Sequence, residues 1–172
     1  MDAMDVIFTR RSVRKYKDEE IDDKTIEKLI DAGVSAPSAG NQQPWHFIVL
    51  DTQKDKSTVN KIQSFHPNAK FISQSNKIII ICGDLDLEKF KGYWILDCSA
   101  ATQNILLAAR ALGLGSCWCG VYPREDRIEN FKKLFSLPKS VIPFSLISLG
   151  YTSEKQEKID RYDKERIHYS KW

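Results

Sequence analysis

The sequence predicts an α+β fold with a mixed central sheet flanked by helices. Three observations carry that prediction. Residues 77–82 include an unbroken run of isoleucines, as in a strand buried on both faces. Residues 94–112 are rich in Ala and Leu and nearly apolar all round, as a central, covered helix is. Around those two, helix-like and short strand-like segments are mixed along the chain. A length of 172 residues suits one domain, 1–172, large enough to bury a real core.

The elements follow in order. Residues 1–9 read as a short helix carrying Val6 and Ile7, with Asp2 as its cap. Residues 10–17 form a basic strip. Asp22 or Asp23 caps a helix over 24–35, with Ile26, Leu29, Ile30 and Val34 on one face at helical spacing. Residues 36–44 are a polar loop bounded by prolines. A strand is expected over 45–50, an exposed helix over 54–65, and an irregular stretch over 66–76. After the buried strand and the long helix, Gly113 and Gly115 act as a stop. A short strand over 116–121, a helix over 124–135 and a core strand over 141–149 complete the fold. The tail, 151–172, is highly charged but ends in Tyr169 and Trp172, which suggests that it docks on something.

Composition excludes several classes. The net charge of +3 is small and the basic residues are interspersed with acids, so nucleic acid is not an expected partner. No apolar stretch reaches membrane-helix length, and the acidic start lacks the basic-then-apolar order of a signal peptide. A cytoplasmic protein is expected. Cys82, Cys98, Cys117 and Cys119 are then reduced thiols, and the Cys117-Trp118-Cys119 spacing has no second cluster to complete a zinc site. No metal is expected.

Four segments offer chemistry. Arg10-Arg11-Ser12-Val13-Arg14-Lys15 would, if extended, place Arg10, Ser12 and Arg14 on one side. Guanidinium forks and a hydroxyl suit a phosphate or an electron-rich ring edge, though a solvated basic face is the plain alternative. Ala36-Pro37-Ser38-Ala39-Gly40-Asn41-Gln42-Gln43 combines small residues, which let a backbone approach a ligand, with the amides of Asn41 and Gln43. A simple connecting turn would look similar. Gly113-Leu114-Gly115-Ser116-Cys117-Trp118-Cys119-Gly120 fails the dinucleotide fingerprint, because a helix precedes it and a strand follows. It reads as a helix-to-strand turn able to present backbone N–H groups to a planar ligand, or as a plain cap before a core strand. Lys158, Arg161, Lys164 and Arg166 in the tail could bring a second anion contact, or could merely solvate it.

The co-occurrence of these segments in this order resembles the nitroreductase-like flavoprotein family along nearly the whole chain. The matching residues are Arg10 to Arg14, then Ala36-Pro37-Ser38 with Asn41, Gln43, Pro44 and Trp45. Asp97, Gln103 and Asn104 follow on the long helix, leading into Gly113-Leu114-Gly115-Ser116-Cys117-Trp118. Gly150, Arg161, the Ile167-His168-Tyr169 stretch and Trp172 close the pattern.

That resemblance implies a nitroreductase-like homodimer with FMN at the subunit interface and NADH or NADPH as reductant. It implies that Arg10, Ser12 and Arg14 hold FMN from one subunit, with Arg11 near the phosphate and Arg14 near the N1–C2 edge. Pro37, Ser38, Ala39, Asn41 and Gln43 would approach from the other subunit. Trp118, Cys119 and Gly120 would face the ring near N5, and Arg161 would contact the phosphate. Asn68 and Lys70 would offer polar contacts to the pyrimidine edge. The tail would dock on the partner subunit. The implied reaction is ping-pong transfer of a hydride from the nicotinamide, by way of FMN, to a small-molecule acceptor such as a nitroaromatic or a quinone. It needs no side-chain nucleophile. Alternatives on the same fold are dehalogenation, flavin breakdown, or flavin binding and storage without turnover. Two departures stand out: Cys119 replaces an aliphatic residue of many relatives, and the short span between Cys82 and Trp94 implies a small lid.

Overall fold

The computed structural model describes residues 1–172. It opens with α1 (Ala3–Thr9), capped as expected by Asp2, whose carboxylate accepts from Met4 N–H at 2.8 Å and Asp5 N–H at 3.0 Å. α2 (Asp23–Val34) is capped by Asp22, which accepts from Thr25 N–H at 2.6 Å. The remaining elements are β1 (Trp45–Asp51), α3 (Lys56–Phe65), β2 (Lys77–Asp84), α4 (Trp94–Ala111), β3 (Gly115–Gly120), α5 (Glu125–Phe135) and β4 (Val141–Gly150). The stretch before β2 is held by two short 3-10 turns, Pro67–Ala69 and Ile72–Gln74.

The strands form one sheet in the order β1-β2-β4-β3. The α+β architecture with flanking helices is as expected. The pairing differs: all three ladders are antiparallel, and the only parallel contact is an isolated bridge between Ser12 and Ser116. β2 and β3 run in the same direction, but β4 lies between them, so no parallel ladder forms.

Strand alternation sorts the core into two layers. Ile79 and Ile81 of β2 join Trp45, Ile147 and Leu149 beneath α2 and α4. Ile78, Ile80 and Cys82 face the other way and join Val59 and Ile62 of α3 and Phe131 of α5. β2 is therefore covered on both sides, which explains why its sequence shows no polar alternation. The helix expected to be exposed, α3, is amphipathic instead, because Val59 and Ile62 fill the second layer. α4 runs across the first layer with Cys98, Ala101, Ile105 and Ala109 inward, while Leu96 stays largely exposed. No residue after Gly150 is buried, and Tyr169 and Trp172 stand in solvent. No helix is long and apolar enough to cross a membrane.

Candidate flavin-binding site

The basic strip is seated by two glycines that face each other across the β3–β4 ladder, Gly115 and Gly150. A Cβ on Gly115 would stand 2.7 Å from Val13 Cγ1, and one on Gly150 would stand 2.7 Å from Tyr16 Cδ1. Only glycine lets the strip lie this close to the sheet. Val13 N–H donates to Ser116 O at 2.9 Å, and the Tyr16 hydroxyl lies 2.7 Å from Ser148 Oγ. Val13 points in, so its neighbours Ser12 and Arg14 point out, as the period of two requires.

β3 is an edge strand, and its hydrogen-bond alternation decides what that edge presents. Val121 N–H bonds to Phe144 O across the ladder, while Ser116 O is taken from outside by Val13. The alternation of an antiparallel pair then directs the N–H and C=O groups of Ser116, Trp118 and Gly120 away from β4. Gly120 O is already held from outside, by His66 Nε2 at 3.0 Å and by Arg127 Nη1 at 2.7 Å. The N–H groups of Trp118 and Gly120 are left facing off the open edge.

The guanidinium groups beside that edge have no ion-pair partner, although the Glu154 carboxylate accepts from Arg14 N–H at 3.4 Å. Arg10, Arg11, Arg14 and Arg161 form no ion pair. Arg10 holds its proton less tightly than usual because it is partly buried and lies near Arg11 and Arg161. Arg11 turns its fork back onto Arg10 O at 2.6 Å and Phe8 O at 2.8 Å, closing the C-terminus of α1. Its Nε is buried without a partner. A 510 Å³ cleft lined by Phe8, Arg11, Lys158 and Arg161 lies alongside, with Lys158 Nζ 4.7 Å from the Phe8 ring centroid. Guanidinium groups without ion pairs, the exposed Ser12 and a row of free N–H donors suit a phosphate-bearing planar acceptor such as FMN.

The loop after α2 is organised separately. Gln42 is buried: its Nε2 donates to Asp97 Oδ2 at 2.6 Å, and its Oε1 accepts from Lys89 N–H at 2.8 Å and Phe90 N–H at 3.0 Å. Ala39 N–H donates to Asp97 Oδ1 at 2.9 Å. Gly40, Asn41 and Gln43 all have positive φ, and the Phe90 ring occupies the space where a side chain at Gly40 would go. Pro37, Asn41 and Gln43 are exposed; Ser38 and Ala39 are half-buried. No hydrogen bond joins this loop to the arginine group within one chain.

The model of the Nitroreductase family matches residues 7–151. The chain belongs to the nitroreductase family. A relative in Methanothermobacter thermautotrophicus, provisionally named an NADH dehydrogenase/NAD(P)H nitroreductase, is 48% identical and is matched over 100% of this chain and 88% of its own length. A Clostridium acetobutylicum crystal structure, provisionally named an NADH oxidase, superposes with a TM-score of 0.92 at 41% identity, covering 98% of this chain and 100% of the other. A Desulfovibrio desulfuricans structure described as a nitroreductase in complex with FMN gives a TM-score of 0.84 at 25% identity, covering 100% and 98%.

Within this nitroreductase-family chain the remaining candidates divide. Asn68 lies beside β3, its carbonyl 3.9 Å from Cys119 Sγ. Lys70 is turned away, its ammonium donating to Gln63 O on α3 at 2.6 Å. Cys117 and Cys119 are both buried on one side of β3. A hydrogen bond from Cys119, with Arg14, Ser12 and Arg10 nearby, outweighs burial and lowers Cys117 to about 7; the same interaction and burial push Cys119 upward. No group of side chains suited to holding a metal ion is present. Sequence reasoning missed Gln42, His66 and Arg127. Gln42 and His66 are buried polar residues, yet nothing local distinguishes Gln42 from Gln43.

Proposed function

We propose that this protein is an FMN-dependent oxidoreductase that takes electrons from NADH or NADPH. It passes them by a ping-pong mechanism to nitroaromatics, quinones or similar small acceptors, as a cytoplasmic homodimer. The observation that carries the reading is the set of arginines without ion pairs beside the free N–H groups of Trp118 and Gly120. FMN supplies the two-electron chemistry. Arg10 and Arg161 hold its phosphate together with Ser12, and Arg11 adds charge beside them. Arg14 supplies positive charge to the N1–C2 edge, where electron density rises on reduction. The backbone of Trp118, Cys119 and Gly120 lies along the N5 side, and Asn68 approaches the pyrimidine edge.

The second half of the site comes from the partner's loop, through Pro37, Ser38, Ala39, Asn41 and Gln43. Two features support a homodimer. An apolar groove of 480 Å³ between α1, α2 and α4 is lined by Val6, Ile7, Ala32, Leu107 and Ala108 and asks for cover. The tail presents Ile159, Tyr162, Tyr169 and Trp172 to solvent, a poor ending for a free monomer and a suitable arm for wrapping a second copy.

Mass spectrometry of the released cofactor, with sedimentation of the holoprotein, tests this reading. The expected result is FMN in a dimer that loses flavin as it dissociates on dilution. FAD, no flavin after reconstitution, or a monomer retaining FMN at low concentration contradicts it.

A further inference from the structure

The carbonyl of Gly120 accepts two hydrogen bonds from outside the sheet, from His66 Nε2 at 3.0 Å and Arg127 Nη1 at 2.7 Å. A carbonyl can only accept, so Nε2 of His66 carries the proton. His66 is fully buried, and Arg127 is 9% exposed. Neither forms an ion pair, and His66 Nδ1 and Arg127 Nε are buried without partners. The nearest acid along the chain, Asp126, faces outward and pairs with Arg124 at 3.1 Å. Burial and the adjacent Arg127 lower the basicity of His66. A buried guanidinium without a carboxylate is destabilising by itself. Here it ends the row of outward N–H donors on β3, at a peptide held on its other side by the ladder bond from Val121 N–H to Phe144 O.

We propose that His66 and Arg127 are positioning residues for the flavin. Together they clamp the Gly120 carbonyl and so fix the end of the β3 edge, whose Gly120 and Trp118 N–H groups the ladder already turns toward the ring edge. The unpaired charge of Arg127 also raises the reduction potential of the bound cofactor. This rests on the FMN reading above. A hydride from NAD(P)H carries two electrons and one proton; NAD(P)⁺ leaves, and one negative charge is added on the ring side. A fixed, largely buried cation at the end of the β3 edge favours that added charge.

The experiment compares holoprotein potentials, measured against a reference dye, for wild type, Arg127→Gln and Arg127→Lys. Arg127→Gln keeps a donor and loses the charge. It should lower the equilibrium constant for two-electron reduction about tenfold, which is about 30 mV for such a couple. Arg127→Lys should restore most of the wild-type value. His66→Leu should speed amide hydrogen exchange at Gly120 and Trp118, a readout independent of turnover. FMN bound at the wild-type potential in Arg127→Gln overturns the charge role, as does an equal fall in Arg127→Lys. Unchanged exchange in His66→Leu overturns the clamp. Absence of flavin from the wild-type protein would defeat the FMN reading itself, and this proposal with it; that failure is visible before any variant is made.

Discussion

Val13 rests directly on Gly115: the space a side chain would need at that glycine is filled by Val13 Cγ1 at 2.7 Å and Thr152 Cγ2 at 3.0 Å. The contact couples a core packing detail to the candidate site, because Ser12 and Arg14 flank Val13 and are aimed outward by its burial. Gly115→Ala should therefore act on binding as well as on stability. Overpacking of this kind costs about 1–3 kcal/mol, and displacement of the strip should weaken FMN retention about tenfold. Thermal unfolding with flavin titration checks both. Unchanged affinity would mean that the strip is not held by this contact.

The arginines should be separable. Arg10→Ala or Arg161→Ala removes a charged hydrogen bond worth about 1.5–3 kcal/mol, so each should weaken FMN binding tenfold to a hundredfold. Equilibrium dialysis of the apoprotein against FMN measures this. If Arg161→Ala binds normally, the phosphate contact assigned to it belongs elsewhere; Lys158 shares the cleft and is the next residue to test.

The cysteine pair should be dispensable for the main reaction. Cys117 and Cys119 affect each other's protonation, but no metal-ligating group surrounds them, and a flavin already accepts two electrons. The Cys117→Ser, Cys119→Ser double variant should retain FMN and oxidise NAD(P)H. Loss of hydride transfer with FMN still bound would give the thiols a direct role.

Asp51 and Lys77, opposite each other at the end of the β1–β2 ladder, should dominate acid sensitivity. Burial opposes ionisation of Asp51, but the Lys77 ammonium at 2.7 Å and N–H donors from Gln53 and Lys54 bring it down to about 2. Because the folded value lies below the unfolded one near 3.8, the contribution is complete above about pH 4 and is lost as pH falls toward 2. Lys77→Met should destabilise the protein at pH 7 by about 3 kcal/mol. Urea unfolding should show the gap to wild type narrowing between pH 4 and pH 2. A gap independent of pH would mean that Lys77 acts only by packing.

Much of this fold was legible because its signals are local. Asp2 and Asp22 are capping residues immediately before periodic apolar runs, and Gly113, with a φ of 81°, ends α4 in the left-handed conformation only glycine adopts freely. The isoleucines of β2 announced a strand covered on both sides. What stayed hidden depends on distant partners. Gln42 is buried and Gln43 exposed because Asp97 waits 55 residues away on α4. Arg11 turns back onto α1, although its neighbours read alike in the strip. Gly115 looked like part of a helix stop; its decisive role, receiving Val13, requires knowing that the strip crosses the sheet there. The clamp on Gly120 joins residues 66, 120 and 127, which no spacing rule connects.

The most direct test of the central claim is the visible spectrum of the purified protein, recorded before and after adding NADH or NADPH without oxygen. FMN held beside the Trp118–Gly120 edge should make the preparation yellow, and the reduced nicotinamide should bleach it. Colour should return when a nitroaromatic or a quinone is added. A yellow protein that neither nicotinamide bleaches would contradict the reductase account, and a colourless one that takes up no FMN would contradict the site itself.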